Sequence, residues 1–448
     1  MSTTAKSETK KRKRSSVRHT RAIQYDRLKR PIADNLPEHI KKIFKEIVQP
    51  ATLSQKQLYR EMGLRERTLT LSVMMSIFLM AIWRQVAGVC ELARLVKGEA
   101  TIWEMPKKVS QQALSTRLQV LPPELVLNVL NRVLPQMQTR WEGRYRPLPP
   151  EVSWVRARYK ASLIVDGSTL DALVRKVGLL QEKEKYPLAG KMTALLHLGS
   201  QIPYKLWYNP KATANDQSFW RQILAVLTKG CFLVFDLGYV NFTHFQTMTT
   251  KGIIFLSRAK SNIKVERVHH LAITPTFRDT IVWIGRGHTR QQVRLIEVLH
   301  QTNWHRYITN ELNPDILPAR ECVALYYRRW SIERAFFVVK RLLGLAYFWS
   351  GAQNAVEFQL WSIWIVYCVL IDLSDEIAGL LHLPFERISV EMVYRSIYYY
   401  LKALARGEVD SLPLYLQLHA KHLGIIKRKR KETVSTYDSW ALTTGQNP

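Results

Sequence analysis

The chain has 448 residues, long enough for more than one domain with its own core, and 47% of them are hydrophobic. Its 66 Lys and Arg against 36 Asp and Glu leave a formal charge of +30, which points to a polyanionic partner, nucleic acid above all. Cys90, Cys231, Cys322 and Cys368 lack metal-ligand or disulfide-framework spacing, and the longest apolar stretch, the sixteen residues from Thr68 to Trp83, is short for a membrane span.

Residues 1–30 hold eleven Lys or Arg against Glu8 and Asp26, densest from Lys10 to Arg14. So charged a segment cannot bury a core alone and reads as a basic, disordered tail that grips phosphates without reading sequence, with a solubility tail and a nuclear-import signal as the alternatives for the same residues. From 31 to 142 helix formers dominate, punctuated by Pro50, Gly63, Gly98, Pro106 and the Pro122-Pro123 pair, which predicts a helical domain with Thr68 to Trp83 as a buried helix. Within it Ser110 is an N-cap candidate for a short helix that carries Gln111, Gln112 and Arg117 away from Ala113 and Leu114. Such side chains read base edges and phosphates, so the helix is a candidate for DNA recognition, although a plain surface helix fits the same pattern. Residues 143–157, with Pro147, Pro149 and Pro150, read as a linker.

From 158 to 350 the texture changes. Ser162 to Val165 is an apolar run that ends in Asp166-Gly167, the mark of a strand buried on both faces whose carboxyl end opens into a crevice. Met192 to Leu198 and Pro203 to Tyr208 read as strands and Ala214 to Leu227 as a helix. Cys231 to Gly238 then repeats the motif, with Asp236 and Gly238 after the apolar run. Asn241 to Thr250 reads as a helix, Gly252 to Ser257 as a strand ahead of Arg258-Ala259-Lys260, and residues 262–306 as β-rich. One such aspartate alone is an ordinary turn residue. Two, at the ends of strands that share an open sheet, meet at a ligand-binding edge.

Glu321 to Leu343 lacks Gly and Pro, and Leu325, Ile332, Phe336, Val339 and Leu343 recur at helical spacing, predicting one amphipathic helix. At about 100° per residue, Tyr326, Arg329, Glu333 and Lys340 lie within an arc of about 60° beside the apolar stripe. A solvated charged face is the plain reading of such an arc, but here it follows two strand-end aspartates. Three converging carboxylates repel one another and call for a divalent cation. Residues 351–448 read as a helical carboxy-terminal region, with helices over Phe358 to Ile371 and Val390 to Ala405 and a basic tract from Lys427 to Lys431. No Gly-rich phosphate loop is present, so no ATP is implied.

The pattern Tyr326-x2-Arg329-x3-Glu333-x6-Lys340 resembles the YREK signature of DDE transposases of bacterial insertion sequences, the branch called insertion-sequence family four. The resemblance covers roughly residues 36–348 and implies an α/β fold: a ribonuclease-H-like mixed sheet core with a β-rich insertion, flanked by helical N- and C-terminal domains. By the same resemblance Asp166, Asp236 and Glu333 are the catalytic triad and hold two Mg²⁺ ions, with Mn²⁺ as a substitute. Tyr326, Arg329, Lys340, Arg258 and Lys260 are implied DNA contacts, and Trp304 resembles a stacking platform for a flipped base in members that form hairpins. Leu237 departs from the pattern, since many relatives carry Arg after the second Asp. The expected activity is cleavage of element ends at terminal inverted repeats and joining of the 3′ ends to target DNA. A homodimer in the synaptic complex, no membrane, and a cytoplasmic, nucleoid-associated location complete the expectation. A catalytically silent DNA-binding derivative and a structure-specific nuclease on the same fold are the alternatives.

Overall fold

Leu163, Ile164 and Val165 are all fully buried because they lie in the middle of a sheet covered on both faces. In the computed structural model, which describes residues 35–86, 88–170, 190–260, 262–345 and 348–428, they belong to β1 (Ala161–Thr169). This strand pairs in parallel with β4 (Cys231–Phe235) and antiparallel with β2 (Lys191–His197). β3 (Pro203–Asn209) lies outside β2, and β5 (Ile254–Arg258) runs parallel to β4. Beyond β5 come β9 (Asn303–Thr309), β8 (Gln291–His300), β7 (Phe277–Ile284) and β6 (Glu266–Ile273), each antiparallel to its neighbour. The fold is therefore mixed α/β, a nine-stranded mixed sheet flanked by helices, and its order β3-β2-β1-β4-β5 is consistent with a ribonuclease-H-like core. The β-rich stretch expected over 262–306 continues this one sheet, and its last strand runs on to Thr309 and pairs with β5.

Strand alternation divides the core. Ile164, Leu196, Val234 and Leu256 face the large helical layer, while Leu163, Val165, Leu195, Leu233, Phe235 and Phe255 face the helices Trp220–Val226 and Phe242–Thr250. Asn241 starts the second of these by accepting hydrogen bonds from the Thr243 and His244 amides.

The helical layer is built from both ends of the chain. Helix Gln353–Leu380 is apolar on every side because neighbours surround it, among them Leu71–Trp83, Gln111–Val120 and Pro123–Glu142. It is long and apolar enough to cross a membrane, and 94% of its most apolar window is buried inside the protein. The helical regions 31–142 and 351–448, separate in sequence, thus share one core across their described residues. The segment 143–157 is no free tether either. Arg144 donates to Asp372 Oδ1 at 2.6 Å and Oδ2 at 3.0 Å, Arg146 Nε lies 2.8 Å from Asp375 Oδ1, and a helix forms over Pro150–Arg158. Two buried aspartates drew these arginines, a pairing that the prolines alone did not announce. The basic tail 1–30 and residues 429–431 of the carboxy-terminal tract lie outside the described residues.

Candidate active site

Val165 and Phe235 are the last register partners in the parallel β1–β4 pair, so the next residues, Asp166 and Asp236, follow side by side; Asp236 stands just past β4, whereas β1, expected to end at Asp166-Gly167, runs on to Thr169 because β2 still pairs with it. The strand texture that pointed to this crevice is the double-sided burial of both runs.

The segment carrying the signature is two helices rather than the single one expected: Ala319–Tyr327 and Trp330–Phe337, followed by a π-helical stretch Val338–Leu342. At the junction the bonds tighten, with Arg329 N donating to Tyr326 O (3.0 Å), Ser331 N to Arg328 O (2.9 Å) and Ile332 N to Arg329 O (3.2 Å). Arg328 is held on one side by Glu151 and, at 3.2 Å, Glu386, while Arg329 turns toward the sheet. No Gly or Pro marks the break, so periodicity alone could not place it.

Around this turn two expected residues, Tyr326 and Arg329, meet the two aspartates, and Glu333 and Lys340 stand beside them. Tyr326 Oη donates to Asp236 Oδ1 at 2.9 Å. The Arg329 guanidinium donates through Nη1 to Asp166 Oδ2 at 3.3 Å and through Nη2 to Glu333 Oε1 at 3.1 Å. Lys340 Nζ donates to the carbonyl of Thr169, three residues beyond Asp166, at 2.5 Å. The outer oxygen of Asp166 accepts from the Gly167 amide at 2.8 Å.

Burial pushes the Asp166 carboxyl up to about 6. The Asp236 and Asp216 carboxylates add to the rise, and the Gly167 amide and Arg329 oppose it. Burial works against the Arg329 charge, but Tyr326 and the three carboxylates Asp236, Asp166 and Glu333 raise its pKa on balance. Burial, then Asp236, raises the Tyr326 phenol. The donor set, three carboxylates, suits a hard divalent cation. With Arg329 bridging two of them, no three His, Cys, Asp or Glu among the described residues stand close enough to enclose an ion.

The remaining expected residues are placed differently. Arg258 ends β5, half-buried, with its Nε lacking a hydrogen-bond partner, and Lys260 is exposed two residues on. Trp304 lies on β9, opposite Leu299, under the Arg278 guanidinium at 4.4 Å. Gln111 and Gln112 are exposed at the start of helix Gln111–Val120, which Ser110 caps by accepting from the Ala113 amide at 3.1 Å. Gln112 lines an open cleft of about 980 Å³ with Arg65, Arg67, Lys108 and Thr116. Arg117 also borders it, but its guanidinium is spent on Leu69 O (2.9 Å) and the Tyr59 hydroxyl. Two residues that the sequence reading passed over also border the site: Asp216 and Lys191, paired at 2.7 Å. Neither belongs to a spaced motif, and only the glycines that follow the strand-end aspartates hint that something packs there.

The comparison with known families reaches the same region. Residues 162–369, spanning all nine strands and both signature helices, match the family described as the transposase DDE domain. This stretch of the chain is similar to a transposase DDE domain. Such domains belong to enzymes that cleave DNA and transfer strands with divalent metal ions. A Sinorhizobium fredii protein named "Putative transposase y4zB" is 27% identical over 167 residues, 36% of this chain and 46% of that protein. The match thus spans a little under half of the relative's length.

Proposed function

We propose that this chain is an insertion-sequence transposase that binds terminal inverted repeats, cleaves the element ends by metal-dependent hydrolysis and joins the freed 3′ ends to target DNA. The supporting observation is that Asp166 and Asp236 follow the last register pair of β1 and β4 side by side, with Asp166 linked through Arg329 to Glu333 of the signature helix and Asp236 bound by Tyr326. Asp166, Asp236 and Glu333 would hold a pair of Mg²⁺ ions, or Mn²⁺ in their place, which supply an activated water and a countercharge for the leaving 3′ oxygen. Arg329 leaves the carboxylates for a phosphate of the element end, which its planar fork grips in bidentate fashion. Tyr326 orients Asp236 through the bond it donates, and its aromatic edge borders the same phosphate. Lys340 and Lys260 act as point charges along the strand, and the unpartnered Arg258 Nε is a donor held ready for a phosphate oxygen. Gln111 and Gln112, facing solvent above a basic cleft, read the repeat. Two copies of the chain pair the two element ends in a synaptic homodimer.

The test uses linear DNA ending in the element's repeats, incubated with the full chain with and without Mg²⁺. Nicking at the repeat followed by joining to target is the expected result. Asp166→Ala, Asp236→Ala and Glu333→Ala should each abolish cleavage while end binding persists. Binding without any cutting by the unmodified chain would favour a silent DNA-binding derivative, and cutting without joining a nuclease.

A further inference from the structure

Each strand-end aspartate is followed by a glycine, Gly167 directly after Asp166 and Gly238 two residues after Asp236. Neither glycine has a positive φ, so backbone freedom does not explain them. Clearance does. A methyl carbon at Gly167 would lie 2.2 Å from Asp216 Oδ1, and one at Gly238 would lie 3.3 Å from Asp216 Oδ2. A single carboxylate therefore packs against β1 just after Asp166 and against the turn just after Asp236.

Asp216 opens the short 3-10 helix Asp216–Phe219 and is held from two sides. Lys191 Nζ lies 2.7 Å from its Oδ1 and donates to the Ala214 carbonyl at 3.0 Å, and this lysine, 8% exposed, is the register partner of Thr169 on β1. The next residue, Gln217, reaches the second turn, donating through Nε2 to Gly238 O at 2.6 Å and Val240 O at 3.4 Å. The lysine thus ties the carboxylate to the β1 side, and the glutamine ties it to the β4 side.

We propose that Asp216, neutralised by Lys191, is a positioning residue that sets the separation of the Asp166 and Asp236 strand ends. It touches no reacting group in this role and acts through Gly167 and Gly238. The inference rests on the reading of Asp166 and Asp236 as cation-holding carboxylates. A site of that kind tolerates about 0.5 Å of error, and a misplacement of about 1 Å costs about 100-fold in rate. A charged pair tied to both strands is a stiffer spacer than an apolar side chain free to choose rotamers.

The test compares four forms of the full chain: wild type, Asp216→Asn, Gly167→Ala, and Gly167→Ala combined with Asp216→Ala. Asp216→Asn keeps size and shape while removing the charge that Lys191 holds. The measurements are melting temperature, affinity for repeat-ended DNA, single-turnover cleavage at saturating DNA, and Mn²⁺ binding by calorimetry. Asp216→Asn and Gly167→Ala should each slow cleavage about 10- to 100-fold and weaken Mn²⁺ binding, with DNA affinity within about twofold of wild type. The double variant, whose new methyl enters the space the carboxylate left, should cut at least about tenfold faster than Gly167→Ala alone. Wild-type cleavage and Mn²⁺ binding in Asp216→Asn would overturn the proposal, as would a double variant slower than either single change. Should Gly167→Ala fail to fold, the Asn variant decides. A wild type that binds Mn²⁺ through Asp166 but does not cut would remove the transposition reading and leave the Mn²⁺ arm to judge this one. A wild type that neither cuts nor binds Mn²⁺ would overturn both.

Discussion

Asp166 carries an unusual cost for a carboxylate, with its side chain 20% exposed, two other carboxylates nearby and a shared arginine as its countercharge. With its pKa raised to about 6 from an ordinary 3.8, the folded chain holds this proton more tightly than the unfolded chain does. Stability is therefore highest where both states are protonated and falls as pH rises between those two values, by about 3 kcal/mol from this group. Buried Asp375, also raised to about 6 despite Arg146 and Arg144, adds a fall of the same sign. The cation-free protein should melt at a higher temperature at pH 5 than at pH 7.5, and Asp166→Asn should remove part of the difference. Superimposable melting profiles for the two proteins across that range would show that Asp166 titrates as a free carboxylate does. The neighbouring positions of Asp166 and Asp236 were legible in the sequence because each follows an apolar strand run directly, although β1 does not end at Asp166 as expected but runs on to Thr169. Asp216 was not, since Gly167, Lys191 and Gly238 come to it from three distant places and leave no local pattern.

Helix Gln111–Val120 shows how one element divides labour among side chains that a sequence reading groups together. Gln112 faces the basic cleft, whereas Arg117 ties the helix to Leu69 and Tyr59. Gln112→Ala should leave the melting temperature unchanged and reduce the preference for repeat over unrelated DNA by about 1–3 kcal/mol, measured by fluorescence anisotropy. Arg117→Ala should instead lower stability by about 1–3 kcal/mol, because the partners it leaves are partly buried. Equal effects of the two changes on both measurements would refute this division. On β9, Trp304 lies beneath Arg278, with one ring face covered by a cation. If its other face receives a flipped base, Trp304→Ala should slow hairpin formation about 5- to 150-fold while nicking persists. Parallel loss of both steps, or a product series without hairpins in the unmodified chain, would assign the indole to packing. The signature helix itself was legible as amphipathic, but not as broken. Its apolar spacing survives the tightened turn at Arg328-Arg329, and the carboxylates that pull those two arginines apart lie elsewhere in the chain.

For the molecule as a whole, sequence order misleads most where the ends of the chain meet. Composition separates a helical beginning from a helical end, yet Gln353–Leu380 is the centre of a layer built from both. Asp372, fully buried on that helix, accepts from Arg140 and Arg144 of the other half. Asp372→Ala should cost about 1–3 kcal/mol, because Arg140 and Arg144 lose their shared acceptor and Arg144 keeps only the more distant Asp375 and Glu376, and chemical denaturation is the direct measurement. DNA-end binding should weaken along with cleavage, since the Gln111–Val120 helix rests on the same layer; a loss confined to cleavage would contradict the shared core. The prolines of 143–157 read as a linker, and the aspartates that hold it lie more than two hundred residues downstream. That arrangement bears on how the protein is made. A ribosome that has released Pro123–Glu142 must still translate the entire sheet before Gln353–Leu380 emerges, which at about 5–20 residues per second takes on the order of tens of seconds. During that interval Val126, Leu130, Val133 and Met137, all buried in the finished protein, lack their principal cover. A newborn chain should therefore engage chaperones during that interval, and a message truncated before codon 353 yields a product without the central helix on which the layer is assembled.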